Sequence, residues 1–178
     1  SSGSLRVVFA TTHIPLKDVP ARLTEERIVE VGLLLRDAIA SEGIASPKTA
    51  AAALNPHAGE NGHMGREDEL VVKPAIQRLK GMGVDVEGPF PPDTLFIQRV
   101  REKFDGIISM YHDQGHIPFK MLAFDSGVNS TLGLPIIRTS VDHGTAFEIA
   151  WRGVADTGSL FAAIRLAAKR ALSKRGAA

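Results

Sequence analysis

Short, continuously apolar runs alternate along this chain with longer stretches of helical periodicity, and that alternation limits the fold more than any other feature. Leu5 to Ala10, apolar except for Arg6, reads as a short buried strand. Thr24 is placed to cap a helix whose first turn carries Glu25 and Glu26, with Ile28, Val31, Leu35 and Ala38 or Ile39 at helical spacing and Gly43 as its stop. Lys48 to Leu54 sits between Pro47 and Asn55-Pro56 and is expected as a second buried strand. Glu67 to Lys80 carries Leu70, Ala75, Ile76 and Leu79 on one helical face, and Pro74 inside it predicts an irregular or late start. Val84 to Glu87 alternates as a strand, Gly88 to Thr94 reads as a rigid bend, and Thr94 to Lys103 as an amphipathic helix. Asp105 to Met110 is a fourth strand, and a last helix near Thr157 to Ser173 places Leu160, Ile164, Ala167 or Ala168, and Ala171 on one side. The expectation is an α/β fold with a mainly parallel sheet flanked by helices, whose ligands gather at the carboxyl ends of the strands.

Three of the apolar runs end on a histidine: His13, His57 and His112. One such imidazole taken alone is more often a strand cap, but three in the same position can meet around a divalent cation if their strands share a sheet. The chain has no cysteine, so a metal here must be held by imidazole and oxygen donors. His63, His116 and His143 are weaker ligand candidates, with His63 and His116 suited to supporting a ligand from behind. Glycines 59, 62 and 65 in the loop around His57 permit close backbone approach to a ligand.

Lys120, Asn129 and Arg138 offer a cation, an amide and a guanidinium, the donors expected for a phosphate and a carboxylate, in a region with little apparent regularity. The segment Thr139 to Ala150, with His143, Gly144, Thr145 and Ala146 at its centre, is dense in small hydrogen-bonding residues and can wrap a nucleotide. Twenty-one basic against 20 acidic residues leave a net charge of +1, so no global field recruits nucleic acid or an anionic membrane. No apolar run approaches the roughly 18 residues of a membrane span, and a cytoplasmic location is the expectation. Ser1 to Ser4 is small and polar and reads as an extraneous flexible leader, with the domain proper over 5–178.

Asn55-Pro56-His57-Ala58-Gly59-Glu60, Tyr111-His112-Asp113-Gln114-Gly115, and Gly133-Leu134-Pro135 with Arg138-Thr139-Ser140-Val141-Asp142-His143-Gly144-Thr145-Ala146 together resemble the 4-hydroxythreonine-4-phosphate dehydrogenases of pyridoxal phosphate (vitamin B6) biosynthesis. The resemblance implies a fold like the isocitrate and isopropylmalate dehydrogenases, of which this chain is the C-terminal half, with the N-terminal half missing. It implies a homodimer that takes a phosphorylated small molecule, NAD or NADP, and a divalent metal (zinc, magnesium or cobalt) held by His13, His57 and His112 at a site shared between subunits. By the same resemblance Lys120, Asn129 and Arg138 bind substrate, Lys120 and Asp93 are catalytic, and His143, Gly144, Thr145 and Ala146 bind the coenzyme. The implied reaction is oxidation followed by decarboxylation of 4-phosphohydroxy-L-threonine to 3-amino-2-oxopropyl phosphate.

Gly115-His116-Ile117-Pro118-Phe119-Lys120 also resembles a paralogous branch acting on 4-phospho-D-threonate or erythronate in sugar-acid catabolism. Trp151 stands where the family usually has glycine, which bears on the choice between NAD and NADP. Two other readings share these residues: a non-catalytic binding lobe, and a metal-dependent phosphatase or aldolase, against which the His143 loop argues.

Overall fold

The structure, a computed structural model, describes residues 1–123 and 126–176. Four strands, β1 (Val7–Phe9), β2 (Lys48–Ala52), β3 (Asp85–Phe90) and β4 (Gly106–Ser109), form one sheet in the order β1-β4-β2-β3, with every pairing parallel. The crossovers are helical, as parallel strands require. α1 (Val19–Arg22) and α2 (Glu25–Ala40) follow β1, α3 (Lys73–Gly81) follows β2, and α4 (Pro92–Leu95) and α5 (Gln98–Arg101) follow β3. After β4 come α6 (His112–Ala123), an antiparallel pair of β5 (Val128–Thr131) and β6 (Arg138–Val141), and α7 (Gly158–Gly176).

Strand alternation divides the core in two. Ala51, Val86 and Ile108 pack with Ile28, Leu35 and Ile39 of α2 and Ile76 and Leu79 of α3 on one face. Ala50, Ala52 and Ile107 point the other way, against Leu95 and Phe104. Both faces are covered, which is why β2 and β4 read as apolar runs, while the edge strand β3 reads by alternation. Small residues set the approach: a Cβ on Gly32 of α2 would lie 2.8 Å from the Leu79 side chain.

The expected cap is in place, with the Arg27 amide donating to the Thr24 hydroxyl. The irregular start expected ahead of Pro74 is a wide, π-type turn over Asp68–Val72 that leads into α3. That extra residue per turn rotates Leu70 outward; it is 60% exposed and not on the buried face as expected. Gly88 to Phe90 continues β3 instead of bending away, and the helix expected over Thr94 to Lys103 is two short turns interrupted at Ile97, whose backbone is extended. In α7 the inward residues are Ser159, Ala163 and Arg170, while Leu160 and Ile164 face outward, so the expected apolar face is the wrong one for this packing. Nor do residues 1–4 stand free: the Ser1 amino group donates to the Val128 carbonyl at 2.7 Å, and the Val128 amide returns a bond to the Ser1 carbonyl at 2.8 Å. Among the described residues no helix is long and apolar enough to cross a membrane.

Gly88 shows how tightly the edge strand is held. Its φ is +135°, and a Cβ there would lie 2.5 Å from the Ala51 carbonyl oxygen, a backbone atom with no room to retreat. Gly88→Ala is expected to lower stability by about 1–3 kcal/mol, read as a shift of the urea midpoint at unchanged slope.

Candidate metal and substrate site

Because all four strands run the same way, their carboxyl ends share one edge, and each delivers a residue singled out from the sequence. His13 follows β1, His112 follows β4, His57 follows β2 and Asp93 follows β3, each within five residues of its strand. The edge is tied across all four strands. The Thr11 amide and hydroxyl both reach the Met110 carbonyl, at 3.1 and 2.7 Å. The Met110 amide donates to Gln114 Oε1, and Gln114 Nε2 donates to the Ala53 carbonyl, both at 2.7 Å. The Ala53 amide then donates to the Phe90 carbonyl at 2.8 Å. Gln114 is buried and bridges the seam between β4 and β2 where direct pairing has stopped.

His13 and His112 come together: their ring centroids lie 5.3 Å apart. His13 holds a φ of +44°, a left-handed conformation unusual for a side chain with a Cβ, which turns it back over the edge. His112 opens α6, and its Nδ1 lies 2.6 Å from Asp113 Oδ1. His116, one turn on, stacks on His112 at 4.1 Å and on Phe9 at 4.2 Å. Burial, followed by repulsion from His112, pushes the His116 pKa below its ordinary value. A cavity of about 540 Å3 opens beside these rings, lined among others by His13, His112, His116, Phe119, Asn129 and Asp142.

His57 lies apart from that cavity, in a turn where His57 to Gly62 all take positive φ. Five of these residues are at or near the left-handed helical region, and four of those five carry a Cβ, a costly backbone whose base is clamped. The clamp is Asp68, fully buried, whose carboxylate accepts the Leu54 and Asn55 amides at 2.7 and 3.0 Å. The Asn55 side-chain amide donates to Glu67 Oε2 at 2.8 Å. Backbone amides at Glu67 and then the Asn55 amide hold that carboxyl below the usual range. Gly59 and Gly65 pass so close that a Cβ on either would press on Gly65 or Asn55 and Glu67 atoms. Among the described residues no three His, Cys, Asp or Glu side chains of one chain converge in metal-binding geometry.

The phosphate-directed trio lies on regular structure, contrary to the irregular region expected. Lys120 is on α6, two turns past His112 and near enough to His116 to influence its charge. Asn129 is on β5 and lines the cavity; Arg138 is on β6 and its Nη1 donates to Thr131 Oγ1 at 2.6 Å. Helix α6 carries Pro118 inside it, and the hairpin is short, which is why neither period is visible in the sequence. His143, Gly144 and Thr145 are exposed just beyond β6, and Ala146 has a φ of +45°. Trp151 stands fully exposed beyond them.

Gln114 and Asp68 were not among the sequence candidates. Gln114 lies between better-known chemical groups, and Asp68 sits in the run Arg66-Glu67-Asp68-Glu69, which reads as a solvated face. Only the burial of each reveals its work.

Parallel α/β sheets bind small polar ligands and cations at the carboxyl ends of their strands, the edge at which His13, His57, His112 and Asp93 stand here. The family is specific. Residues 1–167 match the family described as pyridoxal phosphate biosynthetic protein PdxA, and the chain belongs to that family. It is 54% identical over 168 residues to a 4-hydroxythreonine-4-phosphate dehydrogenase of Desulforapulum autotrophicum, covering 94% of this chain and 49% of the relative. It is 52% identical over 187 residues to a Bradyrhizobium diazoefficiens protein provisionally named D-threonate 4-phosphate dehydrogenase, covering 97% and 54%. The crystal structure of a 4-hydroxythreonine-4-phosphate dehydrogenase from Klebsiella pneumoniae superposes with a TM-score of 0.82 at 46% identity, over 94% of this chain and 51% of that one. The chain thus spans about half the length of the relatives it matches.

Gln114→Leu keeps the side-chain volume but strands the Met110 amide and the Ala53 carbonyl. A loss of about 2–4 kcal/mol is expected from chemical denaturation, well above that of an exposed glutamine such as Gln77 changed in the same way.

Proposed function

We propose that this chain is the C-terminal half of a two-domain, homodimeric, NAD-linked and metal-dependent dehydrogenase with an isocitrate dehydrogenase-like fold. Its substrate on this reading is 4-phosphohydroxy-L-threonine, oxidised and decarboxylated to 3-amino-2-oxopropyl phosphate, with residues 5–178 forming the unit. The observation that carries the reading is the carboxyl edge itself, where four parallel strands end on His13, His112, His57 and Asp93.

The donors suit a divalent cation such as zinc, magnesium or cobalt. A carboxylate only accepts, so with Asp113 at 2.6 Å the neutral His112 ring carries its proton on Nδ1 and keeps Nε2 as a ligand atom. His13 adds a second imidazole from the neighbouring strand end, and His57, apart from both within one chain, completes the set from a second copy. A bound cation supplies Lewis acidity toward a hydroxyl or carbonyl oxygen. The rest falls to the chain. Arg138 and Asn129 hold the phosphate and carboxylate ends of the substrate, and Lys120 serves in transferring the proton that the substrate hydroxyl releases as its carbon is oxidised. Asp93 orients Lys120 or an intervening water, and the loop His143, Gly144, Thr145 and Ala146 packs against the adenosine of NAD or NADP.

The relative provisionally named D-threonate 4-phosphate dehydrogenase supports a second reading, in which the substrate is 4-phospho-D-threonate or its erythronate isomer. Both readings are tested together by NADH formation from the three phosphorylated acids, using the full-length protein with each divalent metal. Fastest turnover of phosphohydroxythreonine is the expected result; fastest turnover of threonate phosphate transfers the assignment to the second reading. No NADH from any of them, with metal bound, overturns the dehydrogenase. The segment described here is expected to give none alone.

His57→Ala and His112→Ala in the full-length enzyme are each expected to lower bound metal, measured by elemental analysis after dialysis, and kcat/KM by about 100-fold or more. Normal metal content and normal turnover in either variant would remove that residue from the site.

A further inference from the structure

We infer that His116 is a positioning residue, stacking on the His112 imidazole so that His112 Nε2 is presented to a cation in one orientation. The inference rests on His112 being a metal ligand. Three rings cluster here, with His116 stacked on both Phe9 and His112, whose own centroids lie 6.2 Å apart. Phe9 and His116 are nearly parallel, with centroids 4.2 Å apart and planes at 5°, and His116 and His112 follow at 4.1 Å and 23°. The His13 ring lies 5.3 Å from that of His112 and is tilted 45° to it.

The cluster is anchored at its base. Phe9 is the last residue of β1, and Gly115 presses the start of α6 onto that strand, since a Cβ there would lie 2.6 Å from Ser109 Oγ and 2.7 Å from Phe9 Cε1. His116 Nδ1 lies 3.2 Å from the His112 carbonyl oxygen. A carbonyl only accepts, so that nitrogen carries the proton and the ring is fixed to the backbone of the residue it supports. The His112 side chain is 38% exposed, so little other than the stack and Asp113 limits its rotamers. A ligand left to sample several rotamers loses affinity through the cost of ordering it on binding, which is what a stacked neighbour removes in advance.

The test is cobalt(II) affinity of the metal-free full-length protein, by calorimetry and by the visible absorption of the bound ion. His116→Ala is expected to raise the cobalt Kd about 10–100-fold, with the unfolding temperature of the metal-free protein little changed. His116→Phe keeps a ring against His112 and is expected to hold the Kd within about threefold of wild type, with an unaltered spectrum. If the alanine variant fails to fold, His116→Leu, which fills the volume without a ring, carries the same expectation. Wild-type affinity in the alanine or leucine variant overturns the inference, as does an equal loss in the phenylalanine variant. His112→Ala separates the two layers: cobalt binding undiminished there defeats the ligand reading itself. Binding lost there but intact in His116→Ala defeats only the positioning role.

Discussion

The buried amide of Gln114 is the constraint on which the site's geometry depends. Parallel strands diverge beyond their last ladder bonds, and β4 and β2 part after Ile108 and Ala51. Gln114 fills that gap by accepting from Met110 and donating to Ala53, so one side chain satisfies a donor and an acceptor that would otherwise face each other unpaired. Thr11 on one flank and Phe90 on the other extend the same row of bonds across the sheet. The loops bearing His13, His112 and His57 therefore leave from a braced edge and not from frayed strand ends.

The His57 turn is built on the opposite principle. Its residues from His57 to Asn61 hold left-handed backbone that costs free energy at each non-glycine position. The compensation comes from outside, where Asp68 on the π-type turn accepts two amides at the entry to the loop. Two backbone donors on one buried carboxyl group are a strong local tie. The wide turn at Asp68–Val72 is what brings that carboxylate under the loop, so an irregularity in one element supports strain in another.

Much of this was readable in the sequence wherever burial is two-sided or a cap is local. β1, β2 and β4 showed as apolar runs because both faces of the sheet are covered there, the edge strand β3 showed by alternation, and α2 showed because Thr24, Ile28, Leu35 and Ile39 each obey a local rule. The strand-end position of His13, His57 and His112 followed from the same runs, though not which of them would meet. What stayed hidden is what depends on tertiary partners. Leu70 and the outward face of α7 misled because hydrophobicity marks what wants burial and not which neighbour arrives first. Pro118 inside α6 masked a helix, and Asp68 looked solvated, because neither its two amide partners nor its burial has any trace in neighbouring letters.

The arm of β5, β6 and α7 that carries Asn129 and Arg138 is joined to the sheet by charge as much as by apolar packing. Glu42, at the end of α2, accepts Arg6 from ahead of β1 and Arg170 from α7, each at 2.7 Å, with all three side chains nearly excluded from solvent. One carboxylate between two guanidiniums is not a strong source of net stability, since desolvating three charges offsets most of the attraction. It is a strong source of registry. Sliding α7 by a turn would leave a cation buried without its partner, a cost of several kcal/mol that an apolar contact would not exact. That penalty fixes where Thr139, whose hydroxyl bonds to the Ala163 carbonyl, and hence β6 and β5, sit against the braced edge. Asn129 reaches the cavity beside His112 and His116 because a buried ion triad leaves α7 one place to dock.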